Sequence, residues 1–130
     1  MRRYAILDDN QRVLEGRLAE LIRTLPALVA ARVAAACVVG SVAEGRARDA
    51  SDVDVVLVLR EGEPRRSDYD WWDDAVLPFL APARRFPVQP VFIARESLAT
   101  TEPNLRRALA SCIPLWDPEG VFDDESEARA

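Results

Sequence analysis

A chain of 130 residues, 49% apolar and 30% charged, has the mixture of an ordinary folded domain and enough length for one core. Its 17 basic residues are all arginine and it has no histidine, which excludes a histidine general base, a Ser-His-Asp triad and histidine-ligated zinc. The net charge of −5 is local: Asp117 to Ala130 holds six acids and one arginine, whereas residues 1–116 balance.

No basic stripe stands out, so nucleic acid is not an expected partner. No apolar run approaches the roughly 18 residues that span a bilayer. The start, MRRYAILDDNQR, lacks the sustained apolar region of a signal peptide. A cytoplasmic protein without a membrane partner is expected. Cys37 and Cys112 match no metal-binding spacing and sit in apolar surroundings, which reads as buried free thiols.

In chain order, Asp9 and Asn10 are N-cap residues. Val13, Leu14, Leu18, Leu21, Ile22 and Leu25 then recur at helical spacing, predicting an amphipathic helix over about 10–25 that ends at Pro26. RVAAACVVG is a buried strand stopped by Gly40. SVAEGRARDA is small and polar, with room for a short helix from Ser41. DVDVVLVLR is a valine-rich strand over about 52–60, and EGEPRRS a surface loop. Ser67 is expected to cap a helix whose first turn carries Asp68 and Asp70, favourably placed for the helix dipole. In Trp71-Trp72, helical spacing puts one ring in the core and the other at a groove or partner. FPVQPVFIA is a third strand over about 86–94, and its prolines mark an edge. Pro103 opens a helix to about 111, and IPLWD is a short last strand. The expected architecture is α/β (α+β), a small mixed sheet with helices packed on it. It forms one domain over 1–116, followed by an acidic, flexible tail over 117–130.

The chemistry concentrates between Val38 and Leu59. Successive strand residues face opposite ways, so Asp52 and Asp54 share a face, roughly 6–7 Å apart. Two carboxylates that close favour a cation between them, and magnesium is commonly held by one or two carboxylates together with substrate phosphates. Gly40-Ser41 ends the preceding strand, where exposed N–H groups and a hydroxyl suit an anion. Adjacent hairpin-like strands would bring this turn beside the aspartates. Arg48, in the connecting segment, is placed to reach a phosphate.

Gly40-Ser41, ten intervening residues and Asp52-Val53-Asp54 resemble the signature of the DNA polymerase β-like nucleotidyltransferases. The string GSVAEGRARDASDVDVVLVL is similar to their minimal, MNT-type form at Gly40, Ser41, Ala43, Gly45, Ala47, Arg48, Ser51, Asp52 and Asp54. The likeness covers about residues 30–117. It implies that Asp52 and Asp54 are catalytic and hold Mg2+, and that Gly40, Ser41, Arg48 and Ser51 bind a nucleotide, with ATP or another nucleoside triphosphate as substrate. The implied reaction is attack of an acceptor hydroxyl on the α-phosphorus, passing on a nucleoside monophosphate, AMP from ATP, and releasing pyrophosphate. Many minimal members act as antitoxins paired with HEPN-type ribonuclease toxins, and other relatives modify antibiotics or proteins, so the resemblance also implies a protein partner. Homo-oligomers fit as well, because so short a chain must draw its acceptor from elsewhere.

One position departs from the pattern. The family places a third carboxylate on the third strand, where this chain has Gln89. An amide is a poor general base and removes one negative charge from the metal site. Glu44 adds negative charge near the phosphate turn. Two readings follow: a magnesium-dependent nucleotidyltransferase, or a catalytically impaired member of the fold acting as a binding partner. The Asp68–Asp74 cluster is expected on a solvated face, where it could offer a substitute carboxylate.

Overall fold

The computed structural model describes residues 9–24, 32–40, 53–80, 88–100 and 103–122. In chain order they form α1 (Asp9–Thr24), β1 (Val33–Val39), β2 (Val53–Leu59), α2 (Arg66–Trp71) and, after a wide helical turn (Trp72–Val76), α3 (Leu77–Leu80). β3 (Val88–Ala94), a 3-10 segment (Arg95–Thr100), α4 (Pro103–Ala110) and β4 (Ile113–Trp116) follow. The helix expected from Ser41 lies outside the described residues.

The strands make one mixed sheet in the order β3-β2-β1-β4. β1 runs antiparallel to β2 and β4, and β2 runs parallel to β3. The apolar run VAAACVV and the valine-rich VDVVLVL, polar only at Asp54, occupy the two central strands. A central strand covered on both faces needs apolar residues at every position rather than at alternate ones, and all seven residues of β1 are buried. One face packs Leu18 and Ile22 of α1 with Trp72 and Val76 over Val33, Val55, Leu57 and Phe92. The other packs Leu98, Leu109 and Phe122 over Cys37, Val56, Val58 and Ile93.

Local chemistry explains two details. Pro78 has no N–H, and its ring crowds the carbonyl four residues back. The turn before it is correspondingly wide, with the Leu77 N–H donating to the Trp72 carbonyl five residues back. β3 is an edge strand, as its prolines predict. The N–H of Phe92 points away from β2 and donates to the Tyr69 hydroxyl at 3.4 Å. Pro90, two residues earlier on the same side, has no donor to leave unpaired.

The domain boundary expected after Trp116 needs correction. Asp117 accepts the N–H of Val121 at 2.7 Å and that of Phe122 at 3.0 Å. This turn folds both side chains into the second core, where Phe122 is 1% exposed. Glu119 bridges Arg95 and Arg60 across the ends of β3 and β2, and these arginines, Arg95 first, lower its carboxyl pKa. An acidic composition hid two apolar residues that complete the core. The packed region reaches at least Phe122, and residues 123–130 lie outside the described ones. Asp117→Ala should cost about 1–2 kcal/mol by removing the acceptor of two N–H groups. Amide hydrogen exchange should locate the loss at Val121 and Phe122.

Neither cysteine forms a disulfide. Cys37 is fully buried, and burial first, then its neighbour Cys112, raises its thiol pKa. It therefore stays protonated and packs as a small apolar group.

Candidate functional site

β1 delivers Gly40 to one end of the sheet, and β2 delivers Asp54 beside it. Val39 and Asp54 are cross-strand partners, and Gly40 follows with φ +79°, a conformation that glycine adopts without penalty. A Cβ on Gly40 would stand 2.9 Å from Oδ2 of Asp54. Glycine is thus required twice here, once by the turn and once by the carboxylate that fills the space of a side chain. On the other side of β2, Asp54 is in register with Gln89 of β3.

Strand alternation gives Asp54 the face of Val56 and Val58, and gives Gln89 the face of Val91 and Ile93. Gly40, Asp54 and Gln89 therefore share one corner of one sheet face. Asp54 is half-buried and Gln89 exposed. Ser41, Arg48, Ser51 and Asp52 lie outside the described residues. A carboxylate and an amide oxygen side by side are hard oxygen donors, the type that suits Mg2+. Among the described residues, no group of three or more His, Cys, Asp or Glu side chains gathers.

One acid of the Asp68–Asp74 cluster departs from the solvated face expected for it. Asp68 is not solvated but 6% exposed. Its Oδ1 accepts Nε of Arg32 at 2.6 Å, and its Oδ2 accepts an Nη of Arg32 at 3.0 Å. Oδ2 also accepts the N–H of Arg65 at 2.8 Å, so Asp68 rather than Ser67 serves the start of the helix. Arg32 first, with the Arg65 N–H assisting against burial, holds the Asp68 carboxyl below its ordinary pKa. Arg32 flanks the end of β1 opposite Gly40. Asp68 is therefore committed to an ion pair at the far end of the sheet and is no substitute for a third carboxylate beside Asp54. Asp70, Asp73 and Asp74 are exposed.

Behind this pair lies a cavity of about 340 Å³ lined by Arg32, Val33, Arg65, Ser67, Asp68, Trp71 and Phe92. Trp72 is the ring in the core and Trp71 the one in the groove. Tyr69 and Trp71 meet Phe92 edge-on, with ring centroids 4.9 and 6.3 Å apart. The doubled tryptophan pointed to a groove, but Arg32 and Val33 of its lining come from a distant part of the chain.

The fold and this corner can be set against known proteins. The family described as the nucleotidyltransferase domain matches residues 18–115. A solved structure described as a toxin-antitoxin with AMP-PNP superposes with a TM-score of 0.55 at 17% identity, covering 88% of this chain and 82% of that one. At that identity the likeness is one of fold. No curated protein matches the sequence significantly. Among the described residues, no helix is long and apolar enough to cross a membrane. The family match spans well over half of the chain and takes in the Gly40–Asp54 corner, and the chain belongs to the nucleotidyltransferase domain family.

Proposed function

We propose that the corner formed by Gly40 and Asp54 binds a nucleoside triphosphate with Mg2+, and that the domain transfers a nucleoside monophosphate, AMP from ATP, to a hydroxyl of a partner protein or small molecule. The observation that carries this reading is the close seating of Asp54 Oδ2 against the Cα of Gly40. It joins the strand-ending glycine turn and the acidic strand start into one site, and it does so in a chain of the nucleotidyltransferase domain family. Asp54, with Asp52, would hold the magnesium, and Gln89 would offer an amide oxygen. The bound ion would supply charge neutralisation for the phosphates. Gly40 gives the phosphates close access to backbone N–H groups, Ser41 and Ser51 add hydroxyl donors, and Arg48 balances charge. A toxin-antitoxin neighbour in fold supports an antitoxin role with a protein partner.

A second reading, that the domain binds a partner with little or no catalysis, is favoured by one observation. Gln89 sits directly in register with Asp54, where a neutral amide neither accepts a proton nor adds charge to a metal. Calorimetric titration of AMP-PNP with and without Mg2+ tests both readings in the wild type, Asp54→Asn and Gln89→Asp. Magnesium-dependent binding is expected in the wild type and lost in Asp54→Asn. Gln89→Asp should tighten it by roughly tenfold or more, the worth of one added charge-assisted ligand. Wild-type binding without adenylylation of any acceptor, gained in Gln89→Asp, would establish the second reading. No binding in any of the three proteins would dismiss the nucleotide site.

A further inference from the structure

The cavity behind the Arg32–Asp68 pair is separate from the proposed nucleotide corner. Val33 and Phe92, on its wall, belong to the core on one sheet face. Asp54 lies on the opposite face, with Val56 and Val58. Val33 pairs with Leu59 at the far end of β2 from Asp54, roughly 16 Å along the strand. A ligand in the cavity would not touch Gly40 or Asp54.

Its lining is specific in character. The volume of about 340 Å³ is at the small end of the range for organic ligands. Val33 and Phe92 are buried and Trp71 half-buried, so they offer an apolar, partly aromatic wall. Asp68 has both oxygens occupied by Arg32 and the Arg65 N–H, and its charge is cancelled by Arg32. Among the described residues of the lining, two guanidiniums and one carboxylate leave a surplus positive charge. That surplus sits at the rim, where Arg65 and the Ser67 hydroxyl are exposed.

An apolar pocket with one guanidinium and one hydroxyl at its mouth is complementary to a flat apolar body bearing a single anionic head. The guanidinium fork matches a carboxylate. We propose that this cavity is a binding site for a small aromatic or cyclic monocarboxylate, with its ring against Trp71, Phe92 and Val33 and its carboxylate on Arg65 and Ser67.

The probes are 2-naphthoate, 2-naphthalenemethanol and 2-naphthylmethylamine, which share one ring system and differ in head group. Each is titrated into the full chain and followed by saturation-transfer NMR and tryptophan fluorescence. The carboxylate should bind saturably, about tenfold or more tighter than the alcohol, and the amine more weakly still. Arg65→Met should remove most of the carboxylate's advantage and leave the alcohol unchanged. The Arg65 side chain is exposed, so the variant should melt with the wild type. Ser67→Tyr, which plugs the mouth from another exposed position, should abolish binding of all three. AMP-PNP with Mg2+ should not displace the naphthoate. The proposal is overturned if no probe saturates, if all three bind alike, if Arg65→Met leaves the carboxylate unaffected, or if the nucleotide competes. The first three outcomes leave nucleotide binding at Gly40 and Asp54 untouched, whereas competition would also place the nucleotide in this cavity.

Discussion

Gly40→Ala is expected to destabilise the fold by about 1–2 kcal/mol and to weaken magnesium-dependent nucleotide binding by more than about tenfold. The two losses have separate origins. The stability loss comes mainly from the backbone, because φ is +79° and an alanine there is strained. The functional loss comes from the new methyl group, which would lie 2.9 Å from Oδ2 of Asp54 and must push that carboxylate aside. Chemical denaturation and calorimetry on the same variant measure the two effects. A double-mutant cycle with Asp54→Ala divides them further. Removing the carboxylate should relieve the steric part of the Gly40→Ala penalty and leave the backbone part. If Gly40→Ala costs the same with and without Asp54, the contact carries no strain. If nucleotide binding survives Gly40→Ala, the turn and the acid do not act as one site.

The second large effect is expected at the far end of the sheet. Asp68→Ala removes the partner of Arg32 and the acceptor of the Arg65 N–H together. Breaking a fully buried pair costs about 3–5 kcal/mol. The Arg32 side chain is 28% exposed and can turn to water, so the expected cost is about 2–3 kcal/mol. Paired replacement, Arg32→Met with Asp68→Leu, should recover most of it, because no charge is then stranded. The pair also sets an acid limb. The Asp68 pKa is lowered in the folded protein, chiefly by Arg32, so between the unfolded and folded values the unfolded chain binds more protons. The pair's contribution is fully present above the ordinary aspartate pKa, about 3.9, and is lost as pH falls through the lower folded value. Urea midpoints from pH 6 down to pH 2 should fall more steeply in the wild type than in Asp68→Ala. Parallel curves would show that the pair is not the titrating element.

The parts of the molecule legible in the sequence are those written in neighbouring residues. A buried apolar run marked β1, the valine-rich DVDVVLVLR marked β2, prolines marked β3 as an edge, and Pro103 opened α4. Gly40, Asp54 and Gln89 were readable as a set because strand periodicity and a family pattern both place them. The reason Gly40 must be glycine was not readable, since the occupant of its side-chain space comes from the next strand. Asp68 was misjudged for a similar reason. In DYDWWDD it is one acid among four, favourably placed for a helix start, and nothing local distinguishes it from its solvated neighbours. Its partner Arg32 is 36 residues away. Phe122 was obscured by composition, because the surrounding acids outvote two apolar residues. Their burial depends on the turn that Asp117 makes. Long-range ion pairs and single anchoring residues leave no periodic trace, and they account for most of the differences.

The prolines of the two outer strands have a consequence for how the protein behaves in a crowded solution. An unprotected strand edge is a template on which a second chain can add, and then a third, until the assembly becomes fibrous. Here one outer strand carries Pro90 and has its Phe92 N–H occupied by Tyr69. The other, Ile113–Trp116, carries Pro114. Backbone-to-backbone growth is discouraged at both ends of the described sheet, although its centre is rich in the valines and leucines that fibrils favour. Strand addition is disfavoured at these edges, which leaves side chains at the corners and grooves as the favoured points of contact. A population of newly made chains should stay dispersed at concentrations where a variant freed of Pro90, Pro114 and the Tyr69 hydroxyl would convert to thioflavin-positive aggregates.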